Sequence, residues 1–375
     1  MGADAKTWDS LGIMSGTSMD GIDLCLARIS LAAGKLDFEV LDGTSMPFER
    51  QQRQAIRDNL NGTVDGAAQL HFQLGRIYAR AAGTFLGARR VDVIGLHGQT
   101  VAHIDGQYTL QVGAPAAVAA AMETPVVSDF RSADLVVGGN GAPLIPFLDW
   151  LLCRDRAAAT VTLNLGGVAN ITALPPGAER GDVIGFDTGP GMGLIDEAAR
   201  LLFGEPYDRD GRLSSEGQIN DGLLAAVMDH DFIRQTPPKS TGRHEFGAQQ
   251  VHELVERYPM PKHDFIRTLV HLTALSIEYN LRTFVKFREQ VDALFVNGGG
   301  WRHPLLIDDL RSLLPGWQVM GSDRLGIDPD LKEALLMAVL AVAHVEKMHG
   351  NMPAVTGASQ TTLLGQLTPA PALSR

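Results

Sequence analysis

Cysteines and long apolar runs are scarce in this sequence. Its 375 residues include two cysteines, Cys25 and Cys153, which are too few for a disulfide framework. No apolar run approaches the roughly 20 residues needed to span a bilayer. The first ten residues lack the basic and apolar regions of a signal peptide. We therefore expect a cytoplasmic protein with no membrane partner.

Positive charge is also in short supply. Lysine and arginine number 32 against 43 acidic residues, and the formal net charge is −11. Proteins that bind nucleic acid normally present a cluster of basic residues, and this sequence has none. We therefore expect no nucleic-acid partner.

The motifs of several large enzyme classes are missing. No G-x-x-x-x-G-K-[ST] segment is present, which excludes the P-loop NTPases. H-E-x-x-H and G-x-S-x-G are absent too, so neither the zinc-protease nor the nucleophile-elbow motif occurs. Asp129-Phe130-Arg131 is not the D-F-G of protein kinases, because no H-R-D segment accompanies it.

Glycine, in contrast, is abundant: its 41 residues fall in clusters that mark turns or close backbone approach. Alternating apolar residues predict a strand-turn-strand at the start of each half, around Gly16–Gly21 and Gly166-Gly167, with alternating helices and strands after it. This pattern predicts an α/β fold with mixed sheets in two domains. The first domain would hold residues 1–131 and 329–375, and the second residues 132–328.

The first turn with possible chemistry runs from Gly16 to Asp23 as GTSMDGID. Hydroxyls and backbone N–H groups in a tight turn can surround phosphate oxygens, and a carboxylate beside them can hold Mg²⁺. The alternative is an ordinary polar hairpin with Asp20-Gly21 as its turn residues.

The equivalent turn of the second half lies within LNLGGVANIT, residues 163–172. Here too a simple Gly-Gly hairpin is the alternative. Two such turns opening two halves favour a phosphate chain held by both.

Asp187 lies where a predicted strand enters a glycine-rich turn and a helix, in GFDTGPGMG at 185–193. Open α/β sheets bind ligands at the carboxyl ends of strands, and helix N-termini favour anions. Leu194 occupies the place of the last glycine of the dinucleotide fingerprint, so this is not that motif. A turn or N-cap aspartate is the alternative.

A fourth motif, Asn297-Gly298-Gly299-Gly300, ends an apolar strand. Three glycines allow a flat group such as adenine to approach the backbone, although a loop that only needs room would look the same. His97, in GLHGQT, lies at a predicted strand end. A lone histidine is more often a packing residue than a catalytic one.

Together these motifs resemble the actin, sugar-kinase and Hsp70 superfamily, and most closely the anhydro-N-acetylmuramic acid kinase family. The similarity covers nearly the whole chain, and the order of the short strings is what makes it specific. Asn140, Met192 and His303 depart from the residues common in the family. The family-like strings are MSGTSMDGID (14–23), GLHGQT (95–100), SDFR (128–131), APLIP (142–146), LNLGGVANIT (163–172), GFDTGPG (185–191), PPKSTGR (237–243) and VTGAS (355–359).

The resemblance implies two actin-like, ribonuclease H-like domains with a cleft between them. It implies conversion of 1,6-anhydro-N-acetylmuramic acid to N-acetylmuramic acid 6-phosphate with ATP and Mg²⁺, in bacterial cell-wall recycling, by a homodimer. Asp187 would be the catalytic base, and Asp20 and Asp187 the metal ligands. Sugar contacts would come from His97, Gln99, Asp129 and Arg131. ATP contacts would come from Gly16, Thr17, Ser18, Met19, Asp20, Gly21, Ile22, Asp23, Gly166, Gly167, Asn170, Gly298, Gly299 and Gly300.

Two other functions are compatible with the residues. A kinase of the same fold could act on a plain hexose or a carboxylate. An Hsp70- or actin-like ATPase is the second alternative, although the sequence has no additional peptide-binding domain.

Overall fold

The computed structural model describes residues 6–16, 19–59, 62–242 and 245–371. The chain divides into two compact units. Unit 1 consists of Met1–Leu151 and Asp330–Arg375, and unit 2 of Leu152–Pro329. Within the described ranges, no helix is long and apolar enough to cross a membrane.

The strands are short to medium in length and are numbered here in chain order. They are β1 (Lys6–Met14), β2 (Gly21–Ala32), β3 (Lys35–Pro47), β4 (Val93–Leu96), β5 (Gln99–Ile104), β6 (Tyr108–Val112), β7 (Val126–Ser128), β8 (Ala159–Leu165), β9 (Val168–Leu174), β10 (Ile184–Pro190), β11 (Val291–Asn297), β12 (Gln318–Gly321) and β13 (Gln366–Thr368).

The helices include two long ones, and 3₁₀ turns join several elements. They are α1 (Arg50–Asp58), α2 (Val64–Leu86), α3 (Pro115–Met122), α4 (Ser132–Val136), α5 (Ile145–Cys153), α6 (Gly193–Phe203), α7 (Asp221–Met228), α8 (Asp231–Arg234), α9 (Ala248–Arg257), α10 (Lys262–Phe284), α11 (Pro304–Leu313), α12 (Lys332–Val345) and α13 (Pro353–Thr356).

The two units share one strand order. The main sheet of unit 1 runs β13-β7-β4-β1-β2-β3, and the sheet of unit 2 runs β12-β11-β8-β9-β10. In each, the first three strands form an antiparallel meander, and two later strands add in parallel beside the first strand. Unit 1 has one further strand, β13, which pairs antiparallel with β7 at the edge of the sheet. This is the mixed order of a ribonuclease H-like domain. The predicted α/β fold with two such domains is confirmed.

Helix α12 approaches the unit 1 sheet at two glycines. A Cβ built on Gly12 of β1 would lie 1.7 Å from the Ala334 carbonyl oxygen, and one on Gly95 of β4 would lie 2.0 Å from that of Met337. Because any side chain would collide with the helix backbone, glycine is required where helix and strands meet. Helix α12 is thereby built into the core of unit 1.

Buried polar contacts tie residues 132–151 to the C-terminal segment. Asp134 is fully buried, and its Oδ1 accepts hydrogen bonds from Asn351 Nδ2 and Thr356 Oγ1, both at 2.9 Å. Lys332 Nζ lies 2.5 Å from Asp149 Oδ1, with side chains 4% and 0% exposed. These contacts explain why the first boundary between units follows Leu151, whereas the sequence pattern placed it after residue 131.

Helix α10 is the central helix of unit 2. It packs against α6, α7, α11 and β10. Its buried face combines apolar residues such as Phe265 and Ile277 with buried hydroxyl and amide side chains. The ring of Phe186 in β10 meets the ring of Phe284 in α10 edge-on, with the ring centres 5.8 Å apart. Phe186 therefore anchors in the core the strand that carries Asp187.

Candidate active site

Four polar residues stand side by side at one end of the unit 2 sheet. Asn297 of β11 lies opposite Asn164 of β8, which lies opposite Asn170 of β9, which lies opposite Asp187 of β10. Directly paired residues project from the same face of a sheet. Asn297 Nδ2 also donates to Asn164 Oδ1 at 3.3 Å. The structure thus brings Asn170 and Asp187 together and adds two asparagines that were not predicted as site residues.

The Asp187 carboxylate is oriented by a neighbouring backbone segment. The side chain is 9% exposed, and its Oδ2 accepts a hydrogen bond from the Thr241 N–H at 2.8 Å. The Asp187 N–H donates to the Lys239 carbonyl at 3.2 Å. A carboxylate that accepts a backbone N–H is held in a defined direction, as a general base requires.

Lys239 is buried next to this carboxylate. Its Nζ donates to the carbonyls of Phe232 and Ile233 at 2.9 and 3.0 Å, and three phenylalanine rings surround it at 5.0 to 5.7 Å. Burial lowers the pKa of Lys239 to about 8, and the charge of Asp187 opposes that shift. Sequence reasoning missed Lys239 as a site residue, although its string PPKSTGR was noted.

The predicted phosphate turn of unit 2 is joined to the turn that opens α6. The N–H groups of Gly191 and Gly193 donate to the Gly167 carbonyl at 3.1 and 3.0 Å, and Met192 N–H donates to Gly166 at 2.7 Å. A Cβ on Gly191 would lie 2.4 Å from the Gly166 carbonyl oxygen. The two glycine turns are therefore hydrogen-bonded to each other beside Asp187.

The three glycines at 298–300 are not equivalent. A Cβ on Gly298 would lie 2.6 Å from Asn164 Oδ1, and one on Gly300 would lie 2.6 Å from Leu165 Cβ. A Cβ on Gly299 would meet nothing within 4 Å. Close packing on β8 explains Gly298 and Gly300, so Gly299 is the glycine of this motif that borders open space.

His303 fixes the end of the same motif. Its Nδ1 accepts from Leu306 N–H at 3.3 Å, so its Nε2 donates to Asp208 Oδ2 at 3.2 Å. Both side chains are buried. The histidine that departs from the family pattern therefore caps α11 and ties it to Asp208.

In unit 1, the predicted phosphate turn borders a cavity of about 360 Å³. Met19 has φ of 58°, and its N–H donates to the Gly16 carbonyl at 3.1 Å, which makes the turn tight. Thr17 and Ser18 lie outside the described residues. Sequence reasoning missed the contributions from β3 and the start of α12. The lining residues are Gly16, Asp20, Gly21, Asp23, Ser45, Met46, Pro47, Asp330 and Glu333.

Two buried side chains, those of Tyr78 and Gln99, contact the residues at the start of this turn. Ser15 Oγ lies 2.6 Å from Tyr78 Oη, whose pKa is raised by burial. Gln99 is 0% exposed, and its Nε2 donates to the Gly16 carbonyl at 3.1 Å. Within the described ranges, Gln99 Oε1 has no hydrogen-bond partner. Gln99 therefore combines a contact to the turn with a buried acceptor that a water molecule or a bound ligand can satisfy.

His97 and Arg131 form a buried pair. Arg131 Nε donates to His97 Nε2 at 3.1 Å, and His97 Nδ1 donates to the Gly98 carbonyl at 2.7 Å. Burial, followed by the positive charge of Arg131, lowers the pKa of His97 to about 3. His97 is therefore a neutral acceptor that orients Arg131.

Asp129 has φ of 56°, and both of its carboxylate oxygens are engaged. Oδ1 accepts from Ser132 Oγ at 2.6 Å, and Oδ2 accepts from Gln366 Nε2 at 2.9 Å. These bonds join the start of α4 to β13. The residue predicted to contact sugar thus has structural contacts of its own.

Comparison with known proteins decides the family. The family model described as "Anhydro-N-acetylmuramic acid kinase" matches residues 9–370. This chain belongs to the anhydro-N-acetylmuramic acid kinase family. It is a kinase, and the family predicted from its motifs is confirmed.

Curated members of the anhydro-N-acetylmuramic acid kinase family align along almost their whole length. One from Clostridioides difficile is 36% identical over 377 residues, which covers 96% of this chain and 98% of the relative. One from Bacillus cereus is 35% identical over 374 residues, covering 95% and 98%. A solved structure, component A of (R)-2-hydroxyglutaryl-CoA dehydratase from Acidaminococcus fermentans, is 13% identical with a TM-score of 0.42, covering 88% of this chain and 96% of that one. That last likeness is too weak to bear on function.

The carboxylates of this family member suit a metal that is shared with a nucleotide. Among the residues that the structure describes, no three His, Cys, Asp or Glu side chains cluster closely enough to hold a metal by themselves. Mg²⁺ usually takes one or two protein carboxylates together with substrate phosphates and water, so it needs no such cluster. Asp20 is exposed and lines the unit 1 cavity with three further carboxylates. This donor set fits Mg²⁺.

Proposed function

We propose that this kinase converts 1,6-anhydro-N-acetylmuramic acid and water to N-acetylmuramic acid 6-phosphate, with ATP as the phosphoryl donor and Mg²⁺ as cofactor, in bacterial cell-wall recycling. The observation that carries the proposal is the family match over residues 9–370. Two relatives that are named for this activity are 35–36% identical to this chain, and the alignments cover almost their full length.

Asp187 is the proposed general base. Water adds to the anomeric carbon, the bond from that carbon to O6 breaks, and the proton that water loses passes to Asp187. O6 then takes the terminal phosphoryl group of ATP, and ADP leaves. One carboxylate serves the reaction, whereas most glycosidases need two. The hydrogen bond from Thr241 N–H supports the role because it orients the carboxylate.

The proposed ATP contacts are the turn at Gly16–Asp23, the turn at Gly166-Gly167 with Asn170, and the Gly298–Gly300 motif. Phosphoryl transfer depends mainly on positioning and on neutralising charge, and backbone N–H groups can supply both. The open space beside Gly299 supports the approach of a flat nucleoside there. Bound Mg²⁺ would neutralise phosphate charge. On the family resemblance, Asp20 and Asp187 are its proposed protein ligands.

The proposed sugar contacts are His97, Gln99, Asp129 and Arg131. Gln99 is the best supported of them because its buried Oε1 has no partner among the described residues. His97 can act by holding Arg131 in place, since it is neutral and accepts from the guanidinium. The two oxygens of Asp129 are already bonded, so a sugar hydroxyl would have to share one of them.

The test is a coupled ADP-release assay with Mg-ATP, with and without 1,6-anhydro-N-acetylmuramic acid, and with mass analysis of the product formed in ¹⁸O-water. We expect ADP release that depends on the sugar and a product heavier than the sugar by one water and one phosphoryl group (HPO₃), with one ¹⁸O. Unlabelled water and early time points control for exchange at the anomeric hydroxyl. ADP release without this sugar, or a product without label, would contradict the proposal.

Asp187→Asn is the matched variant for the base. It keeps the size of the side chain and an oxygen to accept from Thr241 N–H, but it cannot take up the proton. We expect a fold unchanged by circular dichroism and a loss in kcat of about 10²- to 10⁴-fold. Turnover within a few-fold of the parent protein would remove Asp187 from this role.

Two further properties are proposed on the family resemblance, a homodimer and a cytoplasmic location. The buried thiols of Cys25 and Cys153 are compatible with a reducing compartment. Light scattering after size exclusion tests the first property, and a monomer mass at micromolar concentration would contradict it. Fractionation of cells tests the second, and recovery outside the cytoplasm would contradict it.

A further inference from the structure

Helix α10 buries three polar side chains on one face. Thr273, Ser276 and Asn280 are each 0% exposed, and spacings of three and four residues place them on the same side of the helix. This side faces the turn after Asp187. The Thr273 hydroxyl lies 3.1 Å from the Gly191 carbonyl and 3.2 Å from the Leu269 carbonyl, which share its one proton. Asn280 Nδ2 donates to the Thr188 carbonyl at 2.9 Å.

Thr188 is the extra residue of a β-bulge. The pairing of β10 with β9 passes from Asp187, opposite Asn170, directly to Gly189, opposite Ala169. A bulge leaves its extra residue outside the ladder of hydrogen bonds. The Thr188 carbonyl is satisfied by Asn280 instead, and Thr188 Oγ1 donates to the Ala169 carbonyl at 3.2 Å.

The bulge joins two parts of the site. Asp187 lies directly before it, and Gly191 and Gly193 follow it with their hydrogen bonds to the Gly167 carbonyl. A change of register by one residue moves every later side chain to the other face of a strand. Loss of the bulge would therefore displace either Asp187 or the glycine turn that opens α6.

The contact from Asn280 to the Thr188 carbonyl leaves another polar atom of Asn280 buried without a partner in the described part of the chain. Its Nδ2 donates to the carbonyls of Thr188 and Ser276, and within the described ranges its buried Oδ1 has no partner. An unpaired buried oxygen destabilises a fold. A residue that stabilised the core alone would not need an amide at this position.

We propose that Asn280 and Thr273 are positioning residues, which hold the Thr188 bulge and the Gly191 carbonyl so that Asp187 is placed for proton transfer. The inference rests on the proposed role of Asp187. It assigns to α10 a function in catalysis through backbone carbonyls, without contact to substrate.

Asn280→Leu and Thr273→Val test the two residues with little change of shape. In Asn280→Leu the unpaired oxygen of Asn280 disappears while the Thr188 carbonyl loses its partner. The number of unpaired buried oxygens stays the same, so we expect a similar unfolding midpoint. Ser276→Ala is the matched control, because its hydroxyl lies on the same face but donates to Thr273 of its own helix.

We expect kcat to fall about 10- to 100-fold in Asn280→Leu, the usual range for residues that orient a reacting group. Thr273→Val should lose about two- to tenfold, the range of one neutral hydrogen bond. KM for the sugar should stay within about twofold, because the proposed sugar contacts belong to unit 1 and none of them is changed. Ser276→Ala should match the parent protein.

Hydrogen exchange of the peptide spanning residues 186–193 provides a readout without turnover. Exchange should speed up in Asn280→Leu and Thr273→Val and not in Ser276→Ala. Unchanged kcat in a folded Asn280→Leu, or equal losses in all three variants, would overturn the inference. If the parent protein releases no ADP with the sugar, the proposed function is refuted instead. If hydrogen exchange is then also unchanged in Asn280→Leu and Thr273→Val, the claim that these residues hold the bulge is refuted as well.

Discussion

Breaking the buried ion pair between Lys332 and Asp149 should destabilise unit 1 strongly. The two charged atoms lie 2.5 Å apart in side chains that are 4% and 0% exposed, so solvent screens them little. Lys332→Met retains an apolar side chain of similar length and removes the cation. The buried Asp149 carboxylate then loses the positive charge beside it, which is the costly state.

The magnitude follows from this burial. Removing one partner of a buried ion pair typically costs about 3–5 kcal/mol. For a unit of this size, 1 kcal/mol lowers the unfolding midpoint by about 2–4 °C, so Lys332→Met should melt about 6–20 °C lower. Adding Asp149→Leu removes the second buried charge, and the double variant should recover most of the loss.

The assay is urea unfolding and calorimetry of all four proteins in the double-mutant cycle. Lys6→Met is the control, because Lys6 forms an ion pair with Glu346 at 2.6 Å at the far end of the same helix, with its own side chain 61% exposed. An exposed pair should contribute about 1 kcal/mol or less. If Lys332→Met costs no more than Lys6→Met, the argument from burial is wrong.

Three further variants probe unit 1. His97 has a pKa of about 3 in the folded protein and stays neutral there, whereas in the unfolded chain it gains a proton below about pH 6.5. Lowering the pH from 7.5 to 5 should therefore reduce the free energy of unfolding of the parent protein by about 2 kcal/mol, and His97→Gln should lack this loss in urea unfolding at the two pH values. Asp129→Ala should lower the free energy of unfolding by about 1–3 kcal/mol through its lost hydrogen bonds; a raised KM for sugar at unchanged stability would instead make Asp129 a sugar ligand. Gly12→Ala should cost about 1–3 kcal/mol or more in thermal melts, since its Cβ would strike the Ala334 carbonyl, and a melt equal to that of Gly299→Ala, where the space is open, would contradict this.

Local patterns predicted much of the fold because many elements have clear periodicity. The sequence pattern predicts a strand over Tyr108–Val112 and a helix over Gly193–Phe203, and β6 and α6 have these bounds. The interval Leu135–Pro146 is rich in glycine and proline, which predicts a connector, and helix α5 at Ile145–Cys153 was therefore not predicted. Pro146 is the second residue of α5, a first-turn position where proline is tolerated. Strand β12 was missed because an edge strand of four residues has too little pattern to detect.

The site was predictable only where its residues are close in sequence. The glycine turns and Asp187 form continuous motifs, so their residue types alone indicate close backbone approach and an exposed strand end. Glu333 and Asp23 line one cavity, yet no local pattern relates a residue of α12 to one of β2. The role of Asn280 depends on a bulge in β10, and the register of a strand pair cannot be deduced from one strand.

The discontinuous make-up of unit 1 has a consequence for its synthesis. Unit 2 is one continuous stretch, so all of its residues have been synthesised once the ribosome has passed Pro329. Unit 1 begins the chain but lacks α12 until the end, and its β1 and β4 then offer Gly12 and Gly95 to solvent instead of to a helix. Unit 1 can therefore be completed only after every residue of unit 2 has been synthesised.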